Sequence, residues 1–569
     1  MNVLHDTRAQ DVPGIVTAHN PDKDWWRGAV IYQIYPRSFQ DSNDDGIGDL
    51  RGITMRLPYV AALGVDAIWI SPFFTSPMED FGYDVSNYTD VDPMFGSIAD
   101  FDAMIAEAHR LGLKVMIDQV ISHSSDQHEW FKESRVDAEN DKADWYVWAD
   151  AKEDGSPPNN WLSIFGGSAW QWDTSRCQYF LHNFLTSQPD LNFHNRDVQD
   201  ALLDTVRFWL DRGVDGFRLD TINFYFHSEG LADNPALAKE KRNNSIAPTV
   251  NPYNYQSHQH DKNQPENLDF LKRFRALLDE YPAAAAVGEV GDAENGLQIV
   301  ADYTSGDDMV HMCYAFDFLA PEPVSAPKVR EVVQAFEKTA PDGWACWAFS
   351  NHDVVRHASR WADQIEQRDA YLRMTASLIL ALRGSVCLYQ GEELGLTEAQ
   401  IAYEDLQDPY GIRFWPTFKG RDGCRTPMVW TDNDPKGGFT QGDPWLPVAA
   451  EHIHLAADAQ LGDDDSLLAR YMEIIHFRAA HPAFAKGDIR FIGDNPNLLT
   501  FTRTYRGTTI FVALNMSDES VSTTLPDGGL STLEGPGSGA TIEDHKLTLP
   551  PFGAYYAMKE QRADGGEQV

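Results

Sequence analysis

Asp220 in GVDGFRLDTINF, Glu289 in AAAAVGEVGD and Asp353 in WAFSNHDVV each stand just past a short apolar run. An apolar run such as residues 283–287 reads as a strand buried on both faces, so a carboxylate at its C-terminal end marks where buried backbone meets a cleft. The three are far apart in the chain, and only a closed set of strands brings such distant residues into one pocket. In Gly216-Phe217-Arg218-Leu219-Asp220, alternation puts Arg218 and Asp220 on one side of a strand. A guanidinium beside a carboxylate keeps it ionised, as a nucleophile requires. Glu289 has no cation beside it in sequence and follows an apolar run, where desolvation holds a proton on a carboxyl, as a general acid requires. One ionised and one protonated carboxyl facing each other at about 5 to 5.5 Å is the arrangement for glycoside cleavage with retention. Asp353, preceded by His352, is then placed to bind sugar hydroxyls.

Eight candidate strands supply the scaffold: AVIYQIYP, DAIWISPF, KVMIDQVI, GFRLD, AAAVGEV, MCYAFDF, WACWAFS and SVCLYQ. Most are followed by a helical pattern, such as Ile98 to Leu111, or preceded by one, such as Val198 to Arg212. Strand and helix alternating eightfold predicts an α/β fold of the (β/α)8 TIM-barrel type. A doubly wound sheet lacks support, because no Gly-rich dinucleotide turn follows the first strand. Roughly 95 residues separate the third and fourth strands, well beyond an ordinary connection. That stretch predicts an irregular insertion domain on the rim, and a second insertion runs from about Glu229 to Pro265. After a helix ending near His481 the pattern changes to short alternating segments, IRFIGDN, LLTFTRTY, TTIFVALN and KLTLPPFGAYYAM, which predict a C-terminal all-β domain. The expected division is 1–121 for the first part of the barrel with a flexible N-terminal extension to about Pro21, 122–194 for the insertion, 195–485 for the rest of the barrel, and 486–569 for a β-sandwich-like domain.

The 569 residues carry 46 basic and 86 acidic side chains, a formal charge of -40, spread along the chain. Such a surface repels nucleic acid and anionic membrane and favours a neutral or cationic ligand. Five scattered cysteines without a CxxC pair read as free thiols. No window approaches the roughly 18 apolar residues of a membrane helix, and the first twenty residues do not form a signal peptide. A cytoplasmic protein, monomer or homodimer, with a small-molecule oligosaccharide as its partner, is the expectation.

DQVISH (Asp118 to His123), GFRLD, GEV and SNHD resemble the third, fourth, fifth and seventh strand motifs of the α-amylase family of glycoside hydrolases. The resemblance implies Asp220 as nucleophile, Glu289 as acid/base and Asp353 as transition-state stabiliser. It further implies that Arg218, His123 and His352 contact the sugar of the first subsite, that Asp80 and Tyr83 of EDFGYD hold and stack on it, and that Asp118 is structural and bonded to Arg218. QPDLNFHN (Gln188 to Asn195) and GRDGCRTPM, with Arg421 at the active-site entrance, resemble the branch of oligo-1,6-glucosidases and α-glucosidases. That branch is exo-acting and releases one glucose from short chains. In it Val after the nucleophile is typical of α-1,6 cleavers and Thr or Ala of α-1,4 cleavers, so Thr221 implies maltose-type substrates, with transglucosylation by the same residues. An α-1,6-preferring enzyme, a trehalose or isomaltulose synthase-type isomerase, and a non-catalytic relative are the alternatives. Phe184, in HNFL, resembles a subsite-lining residue, whereas Trp161 and Phe165 fit domain packing as well as a sugar platform.

The loop from Asp41 to Asp49 offers oxygen ligands at alternate positions around a glycine turn, as a calcium loop does. Asp41, Asn43, Asp45 and Asp49 would supply side chains and Ile47 a carbonyl, although no Glu stands at the twelfth position of an EF-hand pattern. A similar loop in the same branch implies a structural calcium or magnesium ion, and no organic cofactor is expected. Ser122 stands where many amylases have an Asn that helps bind an interdomain calcium, so that second site is not expected.

Overall fold

The computed structural model describes residues 22–526, 529–537 and 539–559. The expected N-terminal extension lies outside the described residues. Eight parallel strands form the central sheet: β1 Val30–Ile34, β2 Ala67–Ile70, β3 Lys114–Gln119, β4 Gly216–Leu219, β5 Ala285–Val290, β6 Met312–Ala315, β7 Cys346–Ala348 and β8 Ser385–Tyr389. They pair in the order β6-β5-β4-β3-β2-β1-β8-β7, and a parallel bridge between Cys313 and Ala345 joins the two ends. Each strand is followed by one principal helix: α1 Leu50–Leu63, α2 Ile98–Arg110, α3 Arg196–Leu210, α4 Asn267–Leu278, α5 Gly296–Thr304, α6 Ala326–Thr339, α7 Arg368–Ala381 and α8 Leu467–Ala480. This is the (β/α)8 barrel that the strand pattern predicts. The helices begin where the sequence supplies caps: Asp49 accepts from the Gly52 amide, Ser97 and Asp100 form a reciprocal capping box, and Asn195 accepts from the Asp197 amide.

Two distinct cores explain the unbroken apolar strands. One face of each strand packs against the helices, where Trp209 of α3 is fully buried against Phe74 and donates from Nε1 to the Tyr88 carbonyl at 2.8 Å. The other face fills the barrel with Ile31, Trp69, Met116, Val287, Met312 and Cys387. Period-two alternation carries the inward face to the C-terminal ends of the strands, where the side chains become charged. Asp118 on β3 is in register with Arg218 on β4, Arg218 is in register with Val287 on β5, and Glu289 lies two residues beyond Val287.

The long β3 to α3 connection holds a small antiparallel sheet of Trp148–Ala149, Gln178–Leu181 and Trp170–Asp173, in that order. The long connection after β4 locks onto it. Trp161 Nε1 donates to the Ala232 carbonyl at 2.8 Å, Asn160 Nδ2 to the Asn234 carbonyl at 2.9 Å, and Asn251 Nδ2 to the Ile164 carbonyl at 2.6 Å. Neither connection need be rigid alone, because each satisfies the other's backbone carbonyls.

Beyond α8 come two antiparallel sheets. One orders Asp488–Phe491, Leu498–Tyr505, Thr508–Asn515, Ala554–Lys559 and Leu530–Thr532, and the other orders Val521–Thr524, Lys546–Leu549 and Thr541–Glu543. The segment KLTLPPFGAYYAM, a single alternating run in sequence, is two strands in different sheets, parted by a turn at Pro550 to Gly553. Arg503, fully buried, ties this all-β part to the barrel by donating to the carbonyl of Ala381 in α7 at 2.6 Å. No helix among the described residues is long and apolar enough to cross a membrane.

Candidate active site

Asp220, Glu289 and Asp353 meet at the C-terminal end of the barrel and line one cavity of about 450 Å³ with Asp80, Tyr83, His123, Phe184, Thr221 and Arg421. Arg218 and His352 stand behind that wall, both buried and bonded to residues that line it. The sequence-derived residues are thus brought together apart from the metal loop, which lies elsewhere.

Arg218 is the hub. Its fully buried guanidinium donates from Nη1 to Asp118 Oδ1 at 2.8 Å and to Asp220 Oδ1 at 2.5 Å, and from Nη2 to Glu289 Oε2. Tyr314 Oη also stands 3.1 Å from Nη2. The absence of a cation beside Glu289 in sequence therefore does not hold in space: β4 and β5 are neighbours, and the arginine spans them. Glu289 still keeps a high pKa, pushed up to about 8, because burial and the charges of Asp220 and Asp353 outweigh the attraction of Arg218. Burial acts in the same direction on Asp118, whose carboxyl is pushed up to about 7 against the pull of Arg218.

Thr221 joins the two principal carboxyls. Its backbone N–H donates to Glu289 Oε2 and its hydroxyl to Asp220 Oδ2, both at 3.2 Å, and Ser122 Oγ is 3.0 Å from the same hydroxyl. These bonds need a left-handed backbone, φ 39° and ψ 49°, which a β-branched residue adopts at a cost of about 1–3 kcal/mol.

Asp353 lies among cations. Arg425 Nη2 donates to its Oδ1 at 2.8 Å and Arg421 Nη1 to the same oxygen at 3.2 Å. Burial raises its pKa, but His352, Arg421 and Arg425 more than offset this and hold it well below the usual carboxylate range. Burial in turn lowers the pKa of the His352 ring well below its usual value, against the pull of Asp353. His352 Nε2 is 2.5 Å from Tyr83 Oη, which donates to Asp118 Oδ2 at 3.1 Å, so this wall is one continuous hydrogen-bonded chain.

The far end of the cavity is closed by polar contacts. Arg421, expected at the active-site entrance, is instead buried at this end because three carboxylates draw it inward: its Nη2 reaches Asp80 Oδ1 at 2.8 Å and Asp408 Oδ1 at 2.9 Å, and its Nη1 faces Asp353. Gln188 Nε2 donates to Asp80 Oδ2 at 3.1 Å, and His123 Nε2 donates to the Tyr83 carbonyl at 2.9 Å. Phe184 lies 5.1 Å from the His123 ring, and Phe165 lines the cavity under the Arg421 guanidinium. Trp161 is buried against Trp170 away from the cavity, so of the three rim aromatics it is the one that serves packing alone. Sequence reasoning did not single out Gln188, Asp408, Tyr314 or Arg425. Gln188 and Arg425 lie inside segments that it did quote, QPDLNFHN and GRDGCRTPM, whereas Asp408 and Tyr314 carry no local signal.

Asp41, Asn43, Asp45, Ile47 and Asp49 share one turn held by its own hydrogen bonds. Asp41 Oδ1 accepts from the Asn43 and Asp44 amides and its Oδ2 from Gly46, Asp45 Oδ1 accepts from the Ile47 amide, and Asp49 caps α1. Among the described residues no group of three or more His, Cys, Asp or Glu is drawn together as a ready cation cage.

Comparison with known proteins agrees with this geometry. Residues 33–487 match the model of the α-amylase catalytic domain, and residues 492–556 that of the maltogenic amylase C-terminal domain. The chain is 66% identical over 537 residues to a probable alpha-glucosidase of Rhizobium meliloti, covering 94% of this chain and 97% of that one. It is 35% identical to an oligo-1,6-glucosidase of Heyndrickxia coagulans, over 90% of this chain and 96% of the relative. Among solved structures it resembles the alpha-glucosyl transfer enzyme XgtA, with TM-score 0.91, 54% identity, and coverage of 94% and 99% of the two chains. It also resembles the trehalulose synthase MutB of Pseudomonas mesoacidophila, with TM-score 0.84, 33% identity, and coverage of 94% and 99%. With a barrel closed around three strand-end carboxyls and the α-amylase catalytic-domain model matched over residues 33–487, the chain belongs to the α-amylase family of glycoside hydrolases.

Proposed function

We propose that the protein is an exo-acting, retaining α-glucosidase that releases glucose from the non-reducing end of short α-1,4-linked glucosides such as maltose. The observation that supports this reading is the bonded cluster of Arg421, Asp80 and Gln188 in the cavity lining, which a chain passing through that end would have to break. Asp220, paired with Arg218, attacks the anomeric carbon. Glu289, holding its proton at neutral pH, gives it to the leaving oxygen and then takes one from the incoming water. Asp353, kept ionised by Arg421 and Arg425, accepts hydrogen bonds from sugar hydroxyls that strengthen in the transition state. An alcohol in place of that water gives transglucosylation by the same groups. Proton NMR of the first product released from maltose should show α-glucose, and initial release of β-glucose contradicts the double displacement. Asp220→Asn should lower kcat by at least about a thousandfold, as loss of a nucleophile does elsewhere, with KM little changed; near-wild-type turnover would remove Asp220 from that role.

The linkage preference rests on Thr221, whose hydroxyl touches the nucleophile. Thr221→Val removes that hydroxyl while keeping side-chain volume. The ratio of kcat/KM for maltose to that for isomaltose should fall about tenfold. An unchanged ratio refutes the assignment of linkage preference to this position. The similarity to a trehalulose synthase supports a second reading, a sugar isomerase with the same carboxyls. Isomerised disaccharide as the main product from sucrose or maltose would favour it over the hydrolase.

The Asp41 to Asp49 turn is proposed to take a structural calcium or magnesium ion. Its side chains Asp41, Asn43 and Asp45 recur at alternate positions on one turn, and Asn43 Oδ1 and Asp45 Oδ1 each accept a single amide and keep a second lone pair for a cation, whereas the Asp41 oxygens, which accept two hydrogen bonds each, would have to exchange one of them. Addition of calcium after chelation should raise Tm by several degrees, and Asp45→Ala should abolish that response. A chelated enzyme with unchanged Tm and no calcium response overturns the proposal.

A further inference from the structure

Just past β1 the chain buries a cation that the catalytic site does not use. Arg37 is wrapped by rings, with its guanidinium 5.2 Å from Trp445, 5.4 Å from Phe81 and 5.8 Å from Phe95. Aromatic faces attract a guanidinium but do not replace the acceptors that its N–H groups lose on leaving water. Its Nε and Nη2 are enclosed and have no hydrogen-bond partner among the described residues. Asp92 and Asp84 act on it from a distance, with their oxygens accepting from the amides of Ser76, Glu79, Asp80 and Met94. Burial therefore dominates and lowers the pKa of Arg37.

Two neighbouring side chains carry spare donors as well. Arg425 lies 5.5 Å from the same Phe81 ring and spends Nε on the His352 carbonyl and Nη2 on Asp353, while its buried Nη1 has no partner among the described residues. The hydroxyl of Tyr35, whose ring Arg425 overlies at 5.3 Å, is buried without a partner in the same way. Burial raises the pKa of that phenol, and Arg425 and Arg37 are the foremost charges opposing the rise, so the hydroxyl lies in the field of both. Water could accept from these donors but would leave the charge of Arg37 uncompensated among carbon, whereas an anion answers both needs. The aromatic surroundings favour a compact ion of single charge, because a dianion loses far more on dehydration. We infer that Tyr35, Arg37 and Arg425 bind a small monovalent anion of the halide class, behind Asp353 and apart from the substrate. None of the three lines the substrate cavity, and the half-buried Trp445 ring separates Arg37 from solvent. Through Arg425 the ion would share a guanidinium with Asp353.

The test uses the full chain, exchanged into sodium sulfate and titrated with sodium chloride at constant ionic strength, with the chloride-35 NMR line width as readout. The formal charge of -40 makes the outer surface a poor binder of anions, so a saturable component reports an interior site. Wild type should show excess broadening that saturates with chloride and is displaced by bromide. Arg37→Met should abolish the saturable component. Tyr35→Phe, which removes one hydroxyl and no bond among the described residues, should weaken chloride binding about tenfold, the worth of one hydrogen bond to a charged group. A cooperative thermal melt of each variant shows that it is folded, and should Arg37→Met fail to fold, Tyr35→Phe decides alone. Broadening in wild type that never saturates, or chloride affinity in folded Tyr35→Phe equal to that of wild type, overturns the inference. Glucose release from maltose is scored separately, so the glucosidase reading stands or falls independently of the anion.

Discussion

One buried guanidinium serving three carboxyls governs this site. Arg218 is completely enclosed and bonds Asp118, Asp220 and Glu289 at once. A single positive charge in a low-dielectric interior cannot keep three carboxylates ionised, so protons must remain on some of them at neutral pH. Glu289 and Asp118 are the groups whose proton affinity rises. Inequality between chemically similar acids is what a displacement with acid assistance requires, and here it follows from counting charges. Removing Arg218 would strand buried carboxyls, at a cost of about 3–5 kcal/mol by analogy with other broken buried pairs.

The barrel makes that sharing possible because neighbouring parallel strands hold their inward side chains in register. Arg218 sits level with Asp118 and Val287, and the next inward residue of β5 is Glu289. Thr221 then fixes both working carboxyls from one strained residue, a local cost set against the order it imposes. Around this centre the two long connections hydrogen-bond to each other, so the walls of the cavity are braced from outside the barrel. Asp353 has two further arginines beside it, Arg421 and Arg425, which is why its ionisation runs opposite to that of Glu289.

Much of this was legible in the chain itself. Strands buried on both faces, such as AAAVGEV, announce themselves by composition, and α2 and α3 fall within two residues of the helical patterns that mark them. Arg218 and Asp220 are two residues apart, so their pairing is written in strand periodicity. The contact from Arg218 to Glu289 joins residues 71 apart and depends on strand order, which local pattern does not encode. Asp408 and Tyr314 escaped notice for the same reason. The left-handed backbone of Thr221 was equally hidden, since nothing about a threonine suggests it. In the C-terminal region, strands of three or four residues are too short for alternation to separate them from turns, so the single run KLTLPPFGAYYAM hides two strands of different sheets.

The central claim is that burial beside a shared arginine leaves the proton on Glu289 at neutral pH. Infrared difference spectroscopy of the protonated-carboxyl band across a pH titration tests it most directly, comparing the wild-type chain with Glu289→Gln. The raised pKa means that Glu289 is protonated below its folded value and loses the proton as pH rises through it. The wild-type spectrum should therefore contain a component that disappears with a midpoint near about 8 and is missing from the variant. A component assigned to Glu289 that has already vanished by about pH 5, the range of an ordinary glutamate, would contradict the account.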